Sequence, residues 1–256
     1  MIEETINKLI QLKLPYMAEA LRVALERGVG TALSVEECVG LMVDREWTER
    51  DNRRTGRRIK EAKLGMPACL EDVRCDPARG LDKAVVRSLG TGQWVRAKQN
   101  VIIVGMTGTG KSYLGAALAE SACRHGFRAL RTRVPRLLGE LAVARADGSY
   151  IAMLSRLAKL DVLVLDDLLL APLKDTERRD LLEVLEDRYD QRSTVVTSQV
   201  PTKSWHEMLA DPTVADAICD RLVHNAHVLS LKGPSIRKTK GLGGKSTEDK
   251  STEDKS

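Results

Sequence analysis

Aromatic side chains are scarce: Phe, Trp and Tyr make up 3% of the 256 residues, and Phe127 is the single phenylalanine. Stacking platforms for unpaired bases are therefore disfavoured. Aliphatic side chains must fill the interior, which suits a layered α/β core. Cysteine pairs at metal-binding spacing are missing too. Cys38, Cys69, Cys75, Cys123 and Cys219 include no C-x-x-C, and no histidine stands near Cys69 and Cys75. All five read as reduced thiols packed as small apolar groups. No apolar run approaches the roughly 18 residues that span a bilayer. Glu3 and Glu4 stand where a secretion signal would be basic, so a cytoplasmic protein is expected, with no membrane partner. Nor is charge of one sign in large excess: 41 Lys and Arg face 36 Asp and Glu, too mild a balance to mark a nucleic-acid binder by itself.

What is present falls into two patterns. Residues 2–14 and 15–27 read as helices, the second with Pro15 in its first turn, Met17, Ala20, Leu21, Ala24 and Leu25 on one face, and Gly28 at the C-terminal cap. A third helix opens with the capping-box spacing of Ser34 and Glu37 and continues through Cys38, Val39, Met42 and Val43. Residues 1–65 thus form a small all-helical domain, and Gly65-Met66-Pro67 marks its boundary. Beyond residue 100, short β-rich runs alternate with helical stretches: 101–104, 129–132, 162–165, 194–197 and 228–231. That alternation predicts an α/β domain over 66–238, a parallel sheet flanked by helices. Residues 239–256 are rich in Gly, Lys, Ser and Thr, repeat STEDK, and read as a disordered tail.

Gly105-Met106-Thr107-Gly108-Thr109-Gly110-Lys111-Ser112 fits G-x-x-x-x-G-K-[ST] between a buried strand and a helix. Glycines let the backbone N–H groups converge on a phosphate at the helix N-terminus. Lys111 is expected to reach the β and γ phosphates of ATP, and the Ser112 hydroxyl to ligate Mg²⁺. Gly105, Thr107, Gly108, Thr109, Gly110, Lys111, Ser112 and Tyr113 are the candidate nucleotide contacts. A second buried run, Val162 to Leu165, ends in Asp166 and Asp167. Asp166 is expected to hold the metal and Asp167 to polarise the attacking water; the alternative for Asp167 is a cap on the following loop.

With both elements placed, the chain resembles the AAA+ ATPases, and among them the clade of DnaC-like helicase loaders and IstB-like transposition helpers. The resemblance spans residues 1–238. It rests on Asn100 to Ser112, Asp166-Asp167, Thr197-Ser198-Gln199-Val200-Pro201 with Trp205, and above all on Asp211 to His227. It implies that Ser198 is the polar sensor beside the lytic water, with Thr197 and Gln199 as near alternatives. Arg221 would be the arginine finger that reaches the γ-phosphate of a neighbouring subunit, and Arg237 a second sensor. An Asp stands at 167 where AAA+ proteins carry Glu, which implies slow hydrolysis that a partner protein corrects. After Arg237 too little chain remains for a separate helical lid.

Between residues 50 and 63, Arg50, Arg53, Arg54, Arg57, Arg58, Lys60 and Lys63 face only Asp51 and Glu61. The five arginines share one helical face without partner carboxylates, which suits duplex phosphates; a solvated charged face is the alternative. Arg133 and Arg136 are further DNA candidates. The expected protein is an ATPase that oligomerises with ATP on double-stranded DNA and delivers it to a transposase. A DnaC-like helicase loader is the alternative, and a metabolic P-loop kinase a third.

Overall fold

The computed structural model describes residues 1–26 and 34–236. The expected cap at Gly28, the candidate Arg237 and the 239–256 tail lie outside the described residues. Contacts divide the chain into two units, Met1–Lys60 and Glu61 onward.

The first unit holds α1 (Ile2–Gln11), α2 (Pro15–Glu26) and most of α3 (Val35–Glu61). The capping box opens α3 as expected: the Ser34 N–H donates to Glu37 Oε2 at 2.8 Å, and the Glu37 N–H donates to Ser34 Oγ at 3.2 Å. Farther along α3, the buried Glu46 carboxylate accepts the Tyr16 and Met17 amides at 2.8 and 3.0 Å, so it caps the N-terminus of α2. Burial opposes its ionisation, but the Met17 amide, Arg50 and the Tyr16 amide outweigh it and hold the carboxyl below its usual range.

That arrangement corrects one expectation. Arg50 is not an unneutralised member of the basic stripe, because it pairs with Glu46 at 2.6 Å and also donates to the Lys13 carbonyl. Met42, Glu46 and Arg50 follow one another at i, i+4 along the packed face of α3. Arg53, Arg54, Arg57 and Arg58 continue the same face. Their guanidinium groups have no ion pair or hydrogen bond among the described residues, and the first three are exposed.

The second unit is built on five strands, β1 (Asn100–Gly105), β2 (Ala129–Arg133), β3 (Val162–Leu168), β4 (Ser193–Ser198) and β5 (Ala226–Leu231). They pair in the order β2-β3-β4-β1-β5, every pair parallel. The helices are α4 (Lys83–Gly90), α5 (Gln93–Arg96), α6 (Lys111–Arg124), α7 (Val134–Asp147), α8 (Tyr150–Ala158), α9 (Asp175–Glu186), α10 (Trp205–Leu209) and α11 (Pro212–Val223). This is the α/β architecture the alternating pattern predicts. Ile102, Ile103, Leu163, Leu165, Val195 and Val196 are fully buried, as central strands covered on both faces must be. Each such side chain contributes about 1.5–3 kcal/mol. The alanine-rich α6 lies close on this sheet: a Cβ on Gly115 would stand 3.3 Å from Thr197 Cγ2 and Val164 Cγ1.

One buried cation ties the layers together. Arg188, 1% exposed, donates to the Leu157, Leu160 and Ser193 carbonyls and to Thr194 Oγ1. Burial, with Arg192 adding to it, lowers its pKa to about 9, so the guanidinium remains charged at neutral pH and needs every acceptor. Arg188→Met removes four hydrogen bonds made by a buried charged group to the Leu157, Leu160 and Ser193 carbonyls and Thr194 Oγ1, each worth about 1–3 kcal/mol. The expected outcome is a loss of at least about 3 kcal/mol in chemical denaturation followed by circular dichroism.

Candidate nucleotide site

β1 ends at Gly105 and α6 begins at Lys111, so the intervening loop turns from a buried strand straight into a helix N-terminus. The loop is clamped from several directions. Thr109 Oγ1 and Lys111 Nζ donate to the Met106 carbonyl at 2.8 and 2.9 Å, and Arg79 Nη2 donates to the Thr109 carbonyl at 3.1 Å. From the far end of the chain, the Ile236 N–H donates to the Gly108 carbonyl at 2.9 Å. Gly108 has φ +83°, and a Cβ there would fall 2.0 Å from Ser235 Oγ. No side chain fits at that position. Gly110, also left-handed, is the N-cap of α6. The result is a rigid loop whose amides and helix dipole favour an anion. Ser112 and Tyr113 are half-buried on the first turn. The Tyr113 hydroxyl sits 3.4 Å from both the N and O of Cys69, so it is turned toward that segment rather than toward the loop.

The second acidic element lies two strands away, at the end of β3. There the β3–β4 register shifts between Leu165 and Leu168, and Asp167 takes φ +62°, a conformation that costs a non-glycine residue about 1–2 kcal/mol. Asp166 is 1% exposed. One of its oxygens accepts from Thr197 Oγ1 and the other from Arg131 Nη2. The Asp167 N–H donates to Thr197 Oγ1 at 3.1 Å, and its carboxylate accepts from Arg133 Nε at 2.8 Å. Thr107 Oγ1 donates to Gln199 Oε1 at 2.8 Å, which ties the loop to the end of β4.

Ser198 is placed otherwise than its expected role requires. Its hydroxyl donates to the Leu168 carbonyl at 2.8 Å and accepts the Val200 N–H at 3.1 Å. Successive strand residues point to opposite faces, and it is Thr197, flanked by Gln199 beyond the strand, that faces the acidic pair. The Ser112 hydroxyl and the Asp166 carboxylate are hard oxygen donors of the kind Mg²⁺ takes. Among the described residues no cluster of three or more His, Cys, Asp or Glu could hold a metal alone.

A family model described as IstB-like ATP binding protein matches residues 7–243. The chain belongs to this family. The IstB-like chain is similar to a protein of Sinorhizobium fredii named as an insertion sequence ATP-binding protein, 46% identical over 234 residues that cover 91% of this chain and 96% of the relative. A Pseudomonas fluorescens protein named for its insertion sequence and ATP binding is 44% identical over 205 residues, 80% of this chain and 89% of that one. Among solved structures, the DnaC helicase loader superposes with a TM-score of 0.55 at 20% identity, covering 67% of this chain and all of that chain. AMPPCP-bound DnaA from Aquifex aeolicus gives 0.56 at 16% identity, covering 70% and 56%. These likenesses show the P-loop AAA+ fold.

Arg221 stands at the other end of the sheet from the loop. Asn100, the first residue of β1, donates to the Arg221 and Leu222 carbonyls at 2.9 and 3.2 Å and accepts the Thr194 N–H at 2.9 Å. It therefore fixes the end of α11 at the start of β1, whereas the phosphate loop leaves its end. The Arg221 side chain pairs with Glu186, donates to the Ala217 carbonyl at 2.9 Å, and lies 5.8 Å from the Tyr189 ring centroid. Of the two DNA candidates, Arg133, the last residue of β2, is engaged by Asp167, and Arg136, in α7, by Glu140, both at 2.8 Å.

Two residues at the site escape a reading of the sequence: Arg79 and Arg131. Arg131 and Arg133 alternate on β2, and Arg133 stands in register with Asp166; a basic alternation on a strand beside an acidic strand end is the available signal. Arg79 has none. Thr197→Val removes the hydroxyl shared by Asp166 and Asp167 while keeping shape. Hydrolysis is expected to fall at least about tenfold, with nucleotide affinity held within about threefold. Ser198→Ala instead lowers stability by about 1–2 kcal/mol and leaves turnover at room temperature nearly unchanged. Turnover and fluorescent-nucleotide titration on both variants distinguish the two hydroxyls.

Proposed function

We propose that this IstB-like protein hydrolyses ATP with Mg²⁺, assembles with ATP on double-stranded DNA, and delivers that DNA as the insertion target to the transposase of its element. The observation that carries the reading is the placement of Arg221. β1 rises about 3.3 Å per residue, so the Asn100 end lies roughly 17 Å from Gly105. Arg221 is anchored at that end and cannot return to its own loop. A cation so placed serves the γ-phosphate of a second copy, and ATP then joins subunits.

Within one subunit, Lys111 and the loop amides bind the phosphates, and Ser112 and Asp166 hold Mg²⁺. When bound, the metal neutralises charge on the phosphate oxygens. Asp167 orients the attacking water, with Thr197 keeping the carboxylate pair in place. Its side chain is one methylene shorter than a glutamate and is restrained by Arg133, two reasons for slow basal turnover. Arg237, outside the described residues, is proposed from the family resemblance alone to contact the γ-phosphate. The names of the relatives, which place them in insertion sequences, support the transposase as partner over a replicative helicase.

Arg53, Arg54, Arg57 and Arg58 are the proposed duplex contact. Like charges at i, i+4 destabilise a helix by about 0.2–0.5 kcal/mol per pair, and among the described residues none of the four is in an ion pair. A phosphate backbone offsets that repulsion without sequence preference.

The assembly is tested by sedimentation with plain duplex under ATP, ADP and no nucleotide. A large complex is expected only with ATP and duplex, and its loss in Lys111→Ala and Arg221→Ala; a particle that stays monomeric throughout, with turnover indifferent to Arg221, refutes the reading. Replacing Arg53, Arg54, Arg57 and Arg58 together by Ala should reduce the slope of log affinity against log salt by roughly 3.6, about 0.9 for each phosphate no longer neutralised. Fluorescence anisotropy at several salt concentrations measures it, and an unchanged slope places the DNA elsewhere.

A further inference from the structure

We propose that Arg131 is the resident counter-cation of Asp166 and sets the Mg²⁺ concentration at which the nucleotide site loads. The inference deepens the proposed function and rests on the reading of Asp166 as the carboxylate that faces the metal.

Arg131 is held at three points. Its main-chain N–H donates to the Ala62 carbonyl at 2.8 Å, Nη1 donates to the Leu64 carbonyl at 2.7 Å, and Nη2 donates to Asp166. Only 13% of its side chain is exposed, and Nε is buried without a hydrogen-bond partner among the described residues. Gly65 closes over the group, since a Cβ there would stand 3.0 Å from Nη1. The guanidinium is thus fixed at the metal carboxylate.

A buried carboxylate must be neutralised by something. Thr197 supplies a hydrogen bond but no charge, and Arg131 supplies the charge. Mg²⁺ drawn to the same carboxylate meets a monocation already bonded to one of its two oxygens. The two cations repel, and both draw on the same oxygen lone pairs, so occupancy by the metal is weaker than the carboxylate alone would give. Arg133, which engages Asp167, lies outside this competition, because it neutralises the neighbouring carboxylate. The Leu64 anchor gives the competition a structural readout: the arginine that guards the metal carboxylate also pins the segment from Ala62 to Gly65 to the edge of β2.

The test titrates Mg²⁺ at a fixed concentration of a fluorescent ADP analogue and reads the Mg²⁺ that half-saturates the tightening of nucleotide binding, with thermal melts confirming folding. Wild type is compared with Arg131→Met, Arg131→Gln and Arg131→Lys. The methionine keeps length without charge. The glutamine keeps an N–H donor for Leu64, so it carries the test if the methionine variant does not fold. In the neutral variants the half-saturating Mg²⁺ is expected to fall roughly tenfold, the lower end of the one to three decades by which a neighbouring charge displaces an ionic equilibrium. Lysine should stay within about threefold of wild type. A packing role alone would not tighten Mg²⁺ binding. An unchanged or raised half-saturation in the folded neutral variants overturns the inference. Wild-type binding indifferent to Mg²⁺, or unaffected by Asp166→Asn, overturns the reading of Asp166 instead.

Discussion

The buried carboxylate of Asp166 is the constraint around which the nucleotide domain is arranged. An ionised group with 1% exposure survives in an apolar sheet only if its charge is matched and its oxygens are hydrogen-bonded. Neither flanking residue of β3 can do that. The strands on each side do: β4 contributes Thr197 and β2 contributes Arg131. The order β2-β3-β4-β1 therefore has a chemical meaning. It sets one donor on either flank of the carboxylate and leaves the phosphate loop one strand further on. Thr107 and Gln199 close the remaining gap between loop and β4.

The opposite end of the same sheet is as closely tied. Asn100 uses both atoms of its amide there, accepting from β4 and donating to the last turn of α11. Gly105 and Asn100 belong to one six-residue strand, so the phosphate loop and the anchor of Arg221 stand at opposite ends of it. A single copy cannot bring them together by side-chain motion. Glu186 and the Ala217 carbonyl hold Arg221 in a defined place meanwhile, which limits the entropy lost if a neighbour's phosphate becomes its partner.

Features that depend on local order are legible in the sequence: the phosphate loop, the acidic strand end, the five strands and the Ser34–Glu37 capping box. Each is set by spacing within a few residues. Features that depend on register are not. Whether Thr197 or Ser198 faces Asp166 turns on the parity of β4, and the irregularity between Leu165 and Leu168 keeps motif alignment from resolving a one-residue difference. Arg131 becomes a site residue only when β2 pairs with β3. Arg50 misleads for another reason. Its i, i+4 partner Glu46 lies just outside the window that defines the basic stripe, and Glu46 is engaged because α2 needs a cap.

Arginines of one chain thus differ in chemistry by partner rather than by sequence. Arg188 is satisfied by carbonyls and braces the core. Arg131, Arg133 and Arg221 are paired with carboxylates, so each is available to an incoming anion only if its carboxylate finds another cation or moves. Arg53, Arg54, Arg57 and Arg58 have no partner among the described residues and meet an external phosphate without that exchange. In that last group nothing must be broken first. The second group behaves differently: a cation held by a carboxylate cannot leave it without changing what that carboxylate is able to bind, so at Asp166 and Asp167 any incoming ion meets charge exchange rather than added charge.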